Sequence, residues 1–253
     1  MNDIRMAYGT LKESVSLSPR AETNIRVVSL LDNRKIPEWW VKHLKRHELT
    51  EVRLVGRVLV NLKVTTISIP FEQIFTVKTD IIERMCVKEP REIEIPTPIR
   101  PIKLILKSVT SLWGKITSER TEIIHKVVIY NPNPIPIPIP QMEYRIVANG
   151  VLIGKGTLYS PGMLKPVSEE TIWLTTVINN YMLDEWWVSH IKNGEKTEVL
   201  IKMWAVIKVG RMEFRFLLVD MRMTFTTNLL GRRGGIFYPH STSTLLSACC
   251  LQL

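Results

Sequence analysis

Cysteine is scarce in this chain, with three among 253 residues, at positions 86, 249 and 250. Cys249 and Cys250 are neighbours that seldom bridge each other, so Cys86, Cys249 and Cys250 make no disulfide framework and no metal-ligand spacing. No apolar run approaches the roughly 18–20 residues that cross a bilayer, and Met1-Asn2-Asp3-Ile4-Arg5 lacks the apolar stretch of a secretory leader. A concentrated patch of charge is missing too. The net charge is +10, but Lys and Arg exceed Asp and Glu by 4 over residues 1–84, 3 over 85–115, 1 over 116–230 and 2 over 231–253. Nucleic-acid-binding surfaces gather basic residues on one face or helix, so this diffuse excess argues against specific nucleic-acid binding. A cytoplasmic location is expected as the chain stands; a membrane-anchored or extracytoplasmic one would require an apolar segment upstream.

Catalytic signatures are also lacking. Gly150-Val151-Leu152-Ile153-Gly154-Lys155-Gly156-Thr157 imitates a phosphate loop. It has three residues between its first glycines instead of four, and Gly follows Lys where Ser or Thr is required. A turn between two strands is the expected reading. There is no Gly-x-Ser-x-Gly elbow. His43 and His47 have the i, i+4 spacing of zinc ligands, but no carboxylate follows the first histidine and no third ligand is evident. No catalytic, cofactor-binding or metal-ligating residue is assigned, no cofactor is implied, and the protein is expected not to be an enzyme.

What the chain does have is internal repetition. Glu38-Trp39-Trp40-Val41-Lys42-His43-Leu44-Lys45 recurs as Glu185-Trp186-Trp187-Val188-Ser189-His190-Ile191-Lys192, 147 positions later. The register extends to Gly9-Thr10-Leu11 against Gly156-Thr157-Leu158, to Leu17 against Leu164 and to Pro19 against Pro166. A tandem duplication of a domain accounts for it. Because His47 aligns with Gly194, the histidine pair is not shared by both copies. Met1 aligns with Ala148, so the first copy is expected to lack its early strands and to lean on the second domain or on another chain.

Each copy predicts a short helix followed by a long strand. Pro37 suits a first helical turn, Asp184 reads as an N-cap, and Asn193-Gly194 as a left-handed stop. Trp187, Val188 and Ile191 form a stripe that would close a core. His43 and His190 are expected beside their tryptophans, with the ring N–H satisfied by backbone. Val52, Leu54, Val58, Val60, Leu62 and Val64 alternate with polar residues, as do Val199, Ile201, Met203, Ala205, Ile207 and Val209. Period 2 over this length means a strand with one buried face. Ile67, Ile69 and Phe71 supply its expected partner in the first copy, and Met212, Phe214, Phe216 and Leu218 in the second. Further strands are expected over Lys103–Val109 and Ile123–Tyr130.

Two proline-rich stretches read differently. Residues 85–101 mix proline and charge as a semi-rigid linker does. In Asn131-Pro132-Asn133-Pro134-Ile135-Pro136-Ile137-Pro138-Ile139-Pro140 every proline falls at an even position, so the i, i+3 spacing of a polyproline ligand never occurs. The alternation predicts an extended edge strand with Ile135, Ile137 and Ile139 on one face and an outer edge stripped of donors. Residues 231–253 have no periodicity and are expected to be a disordered tail, in a composition that suits a shifted reading frame.

With these residues in view, 102–227 resembles the WHy (water stress and hypersensitive response) domain of the atypical, folded late embryogenesis abundant (LEA) proteins. The resemblance rests on the strand ending Val127-Val128-Ile129-Tyr130-Asn131-Pro132-Asn133-Pro134, on Tyr144, on the Asn149-Gly150 hairpin, and on the Pro166 and Val199–Val209 strands. It implies an all-β fold: tandem Ig-like or fibronectin-like antiparallel β-sandwiches, each with one short helix. The expected organisation is a partial domain over 1–84, a linker over 85–101, a complete domain over 102–230 and the tail. It also implies a desiccation-associated protein without catalytic residues or cofactor, protecting or binding proteins or membranes. The other reading kept open is a ligand- or envelope-binding module whose upstream part and membrane anchor lie outside this sequence.

Overall fold

The computed structural model of the protein describes residues 1–11, 14–16, 20, 27–62, 64–95, 101–138, 141–158, 162–209 and 212–227. The expected tail, 231–253, lies outside them. Strands β1 (Ala7–Leu11) and β2 (Val27–Leu31) pair antiparallel. Asp32 then accepts the Arg34 N–H, capping a 3-10 turn at Asn33–Lys35 that runs into helix α1 (Ile36–Lys45). Pro37 sits in its first turn, where a missing N–H costs nothing. A long hairpin follows, β3 (Leu49–Asn61) with β4 (Thr66–Lys78), then the short helix α2 (Ile81–Arg84) and β5 (Arg91–Ile95).

Strand β5 corrects the linker reading of 85–101. It pairs antiparallel with β6 (Ile102–Ile116), and Val87 bridges Val109. Glu92-Ile93-Glu94-Ile95 has period 2, and the isoleucines face inward as half-buried residues; local alternation overrides the flanking prolines. Residues 96–100 lie outside the described residues.

The rest of the chain is β7 (Arg120–Asn131), β8 (Ile137–Pro138), β9 (Gln141–Ala148), β10 (Val151–Leu158), β11 (Met163–Leu164) and β12 (Ser168–Asn179). A 3-10 turn (Asn180–Met182), α3 (Leu183–Lys192), β13 (Lys196–Val209) and β14 (Met212–Thr226) complete it. Two four-stranded antiparallel sheets result, in the orders β12-β7-β6-β5 and β10-β9-β13-β14. Their inner faces alternate as period 2 requires: Ile172, Leu174 and Ile178 are buried on β12, and Met142, Tyr144, Ile146 and Ala148 on β9. The fold is an all-β sandwich.

The phosphate-loop imitation is the β9–β10 hairpin. Asn149 and Gly150 take φ 48° and 84°, the left-handed pair that a two-residue hairpin requires. Gly154 has a packing role, because a Cβ there would stand 2.6 Å from the Val177 carbonyl oxygen on β12.

Three expectations change. Asp184 is not the N-cap: the 3-10 turn precedes α3, Asn179 caps that turn by accepting the Tyr181 N–H, and Asp184 falls within the first helical turn. The Pro-Ile stretch forms a strand only at Ile137–Pro138, paired with β11. Ile135 is 48% exposed while Ile137 is 7% exposed, so they share no buried face, and Ile139 lies outside the described residues. The cause is the fully buried Asn131, whose Nδ2 donates to the carbonyls of Ile135, Leu164 and Lys165 and folds the chain back. Finally, β3 has a buried face only at its base, at Thr50 and Val52. Leu54, Ile67, Ile69 and Phe71 are all at least 42% exposed, since no second sheet faces this hairpin among the described residues.

The first-half elements pack on the second. One core runs from Ile4 and Met6 through α1 to Ile123, α3 and Ile201. Among its polar anchors, Asn131 makes the sharpest test. Replacing it with Ala strands buried carbonyls of two chain segments, and chemical denaturation is expected to show a loss of about 3 kcal/mol. Asn133→Ala, which removes a part-buried bond to Asn131 Oδ1 and an exposed one to the Lys103 carbonyl, is expected to lose less than half as much.

Candidate functional site

The repeated helices meet face to face. Trp39 lies against Trp187 with ring centroids 5.4 Å apart, and Trp40 against Trp186 at 6.0 Å, so the pairing is reciprocal. Trp113 from β6 approaches Trp40 edge-on at 6.2 Å, and Phe225 from β14 approaches Trp186 at 6.2 Å. All four helical tryptophans are 5% exposed or less. Edge-to-face and tilted pairs suit the ring quadrupoles and add about 0.5–1.5 kcal/mol each beyond area burial. Trp186 is thus an interior side chain and not a surface one.

Burying an indole requires a partner for its N–H, and each half supplies the same one. Trp39 Nε1 donates to Thr50 Oγ1 (3.0 Å), and Trp186 Nε1 to Thr197 Oγ1 (3.1 Å). The same hydroxyls bond a histidine: His43 Nδ1 at 2.8 Å and His190 Nδ1 at 2.7 Å. On the far side, His43 Nε2 meets Thr79 Oγ1 at 2.8 Å, and Thr79 donates to Glu48 Oε2 at 2.7 Å. His190 Nε2 meets Thr227 Oγ1 at 2.9 Å, and Thr227 donates to Glu195 Oε2 at 2.9 Å.

These directions assign the tautomer. Because Thr79 and Thr227 spend their protons on carboxylates, they accept from Nε2–H, and Nδ1 accepts the proton of Thr50 or Thr197. Each neutral imidazole is then fully satisfied between two threonines. Backbone partners had been expected, so the threonine hydroxyls are a correction. So is the repeated carboxylate: Glu48 and Glu195 do recur at a fixed place beside the histidines, one hydroxyl away.

Glu48 also ties the halves together. Its Oε2 accepts the Ile81 N–H (2.7 Å), and its Oε1 accepts Ile82 N–H and Trp113 Nε1 (both 3.1 Å). A carboxylate at the first N–H groups of α2 satisfies donors that a helix start leaves open. Trp40 Nε1 likewise crosses to Thr121 Oγ1 on β7 (3.1 Å), and Thr121 donates to the buried Asn180. Its counterpart Trp187 is buried with Nε1 meeting no acceptor.

A third buried chain lies between β6, β7 and β12. Ser111 Oγ donates to the Met85 carbonyl and stands 2.9 Å from His125 Nδ1, while His125 Nε2 meets Thr176 Oγ1 at 2.9 Å. A Ser–His contact invites a nucleophile reading, but Ser111 is fully buried and its proton is committed to a carbonyl. Activating a serine requires the reverse polarity, with the proton pointing at the imidazole. His43 and His47 do not converge: His43 is buried, and His47 is exposed in the left-handed turn after α1 at φ 55°. Among the described residues no group of three metal-ligand side chains gathers, and no helix is long and apolar enough to cross a membrane.

The arrangement is that of an antiparallel β-sandwich whose rare side chains serve as internal fasteners. Residues 126–224 match the family model of the late embryogenesis abundant proteins, and this part of the chain is an LEA-type domain. A crystal structure of a protein from Archaeoglobus fulgidus is 37% identical over 49% of this chain and 99% of its own, with a TM-score of 0.45. A protein from Arabidopsis thaliana solved in solution is 16% identical over 56% of this chain and 84% of its own, at a TM-score of 0.37. The solution structure of another LEA protein is 16% identical over 56% and 74%, at 0.31. No curated protein matches. The family match does not reach residues 1–81.

Burial pushes His43 and His190 down from 6.5 to about 4 against the opposing pull of Glu48 and Glu195, and burial alone does the same to His125. A folded pKa below the unfolded one means that unfolding takes up protons between pH 4 and 6.5. Stability is therefore complete above about pH 6.5 and is lost as pH falls toward 4. At pH 5 each buried histidine is expected to remove about 2 kcal/mol relative to neutral pH. Urea unfolding at pH 7.5 and 5 measures the loss, and His43→Gln combined with His190→Gln is expected to remove about two-thirds of it, His125 supplying the rest.

Proposed function

We propose that the protein acts without catalysis, through the outer surface of its sandwich, to shield other proteins or membrane surfaces when water is withdrawn. The observation that carries this reading is the LEA domain over residues 126–224. The chain's chemically capable side chains, among them His190, Glu195, Thr197, Ser111 and His125, are held in hydrogen bonds with one another or with backbone. Groups so committed are unsuited to bind a substrate without dismantling the fasteners. The exposed strand faces remain for contact with a client, and they mix charge with isolated apolar residues such as Trp173, which is 57% exposed on β12.

The physical logic is exclusion and replacement. A folded, hydrogen-bonded surface placed between partly dehydrated molecules keeps their apolar patches apart and supplies polar partners where water has left. Nothing in that role needs a deep cavity or a metal. A desiccation-sensitive enzyme dried with and without the protein tests it. Activity recovered after rehydration is expected to exceed that with an equal mass of an inert control protein. Equal recovery in both arms, for the enzyme and for leakage from dried phosphatidylcholine vesicles alike, overturns the reading.

A further inference from the structure

The β3–β4 hairpin is an amphipathic ribbon with one edge unused. Pairing is unbroken from Leu49↔Lys78 to Asn61↔Thr66, so Val52, Leu54, Gly56, Val58 and Val60 share a face with Ile67, Ile69 and Phe71. Leu54, Ile67, Ile69 and Phe71 of this face are solvent-exposed, and Gly56, Val58 and Val60 are half-buried. In the second half the equivalent strand, β13, is flanked by β9, which pairs with it from Val199 to Val206. The corresponding edge of β3, from Val52 to Leu59, meets no strand among the described residues. Edge strands of natural sheets are usually blunted by proline or lysine. The hairpin carries Pro70, but on β4, where a missing N–H is tolerated on the outer side. The β3 edge carries neither residue over 52–59.

The direction of the free groups can be read at the base. Glu51 accepts the Asn2 N–H and donates to Asn2 Oδ1, so both of its backbone groups point away from β4. Backbone direction alternates along an antiparallel strand. Arg53, Val55, Arg57 and Leu59 therefore also present N–H and C=O to the open edge.

The apolar face is symmetric around Gly56, and the other face sets each arginine against an aliphatic residue. On the apolar face Val52 mirrors Val60 and Leu54 mirrors Val58; on the other face Arg53 mirrors Leu59 and Val55 mirrors Arg57. We propose that β3 pairs antiparallel with β3 of a second copy of this chain, with Gly56 opposite Gly56 on the two-fold axis. In this register each arginine stands opposite an aliphatic side chain. A shift of the axis to Val55 or Arg57 would set Arg53 against Arg57, or Arg57 against itself. The outward-pointing residues fall opposite one another and exchange both backbone bonds, while the two glycines form the closely spaced non-bonded pair. A Cβ on Gly56 would lie 2.4 Å from the Phe71 ring, which leans over it. Two Phe71 rings thus meet above the glycine pair and cover it. The sheet becomes β4-β3-β3-β4, an isologous interface that satisfies the open backbone edge of β3 and joins the two apolar faces side by side. The pairing is independent of the protective role proposed above.

Leu59 gives a clean test. It is 67% exposed, it faces Ser68 within the hairpin, and it would face Arg53 of the second copy. Sedimentation velocity of the full chain over a hundredfold range of concentration is expected to show a monomer–dimer equilibrium. Leu59→Glu is expected to tighten it and Leu59→Lys to weaken it, each by about five- to tenfold. Opposite effects from two charged residues at one exposed site cannot come from misfolding. A monomer at every concentration overturns the proposal, and so does a dimer indifferent to both substitutions.

Discussion

Three of the four buried helical tryptophans find a threonine acceptor for the indole N–H, and much of this structure follows from how that demand is met. Thr50 and Thr197 each sit at the start of a long strand and receive the indole of the preceding helix. Having one hydrogen to give, each threonine donates it to a histidine and thereby selects the imidazole's tautomer. The histidine's remaining N–H engages a threonine just beyond the returning strand, Thr79 or Thr227, which leans on Glu48 or Glu195. One buried donor is thus satisfied only by tying together helix, outgoing strand and returning strand. Cutting any link orphans its neighbours in a low-dielectric interior, where an unpaired group costs about 1–3 kcal/mol.

Much of this was legible from residue pattern alone. The two helices, the left-handed stop at Gly194 and the hairpins after them followed from periodicity and turn chemistry, because those signals act within a few residues. The partners of His43 and His190 were not legible from local spacing. Thr79 lies 36 residues from His43, and Thr227 lies 37 from His190. That difference of one comes from the bulge that interrupts the β13–β14 pairing after Met203, which moves the second threonine out of the 147-residue register. A signal did exist: Glu48 and Thr50 align with Glu195 and Thr197. Buried polar residues repeated at one offset point to a repeated hydrogen-bond network, and reading them only as helix-end residues missed it. The proline stretch failed for a related reason. Alternation predicted a strand, but the Asn131 amide gathers three carbonyls and bends the chain before a strand can propagate.

The fasteners also set the conditions under which the fold survives. Each histidine is satisfied only when neutral, since a second ring proton would collide with the hydroxyl proton its Nδ1 now accepts. Burial and hydrogen-bond polarity therefore press the same way, and the nearby carboxylate offsets only part of the effect. Buried hydrogen-bonded chains are screened little by added salt, unlike surface ion pairs such as Arg34–Asp32, Lys42–Glu38, Arg53–Glu72 and Lys103–Glu92.

The two halves differ most where they are most alike in sequence. Strand β13 is flanked by β9 and β14 and faces a second sheet across the core; strand β3, with the same alternation, has β4 alone. Alternation is a requirement of burial, and a strand that stayed in water would gain nothing from keeping valine and leucine on one face and arginine on the other. Yet the apolar positions of β3 are arranged symmetrically about Gly56 and remain bare in the single chain. The symmetry distinguishes this face from a mere leftover of a sandwich. A leftover would keep the spacing of its former partner strand, whereas a self-pairing edge needs mirror-related sizes and must keep like charges out of register. The Val52 to Val60 segment has the mirror-related sizes on its apolar face, and its arginines, displaced to opposite sides of the centre, fall opposite aliphatic residues.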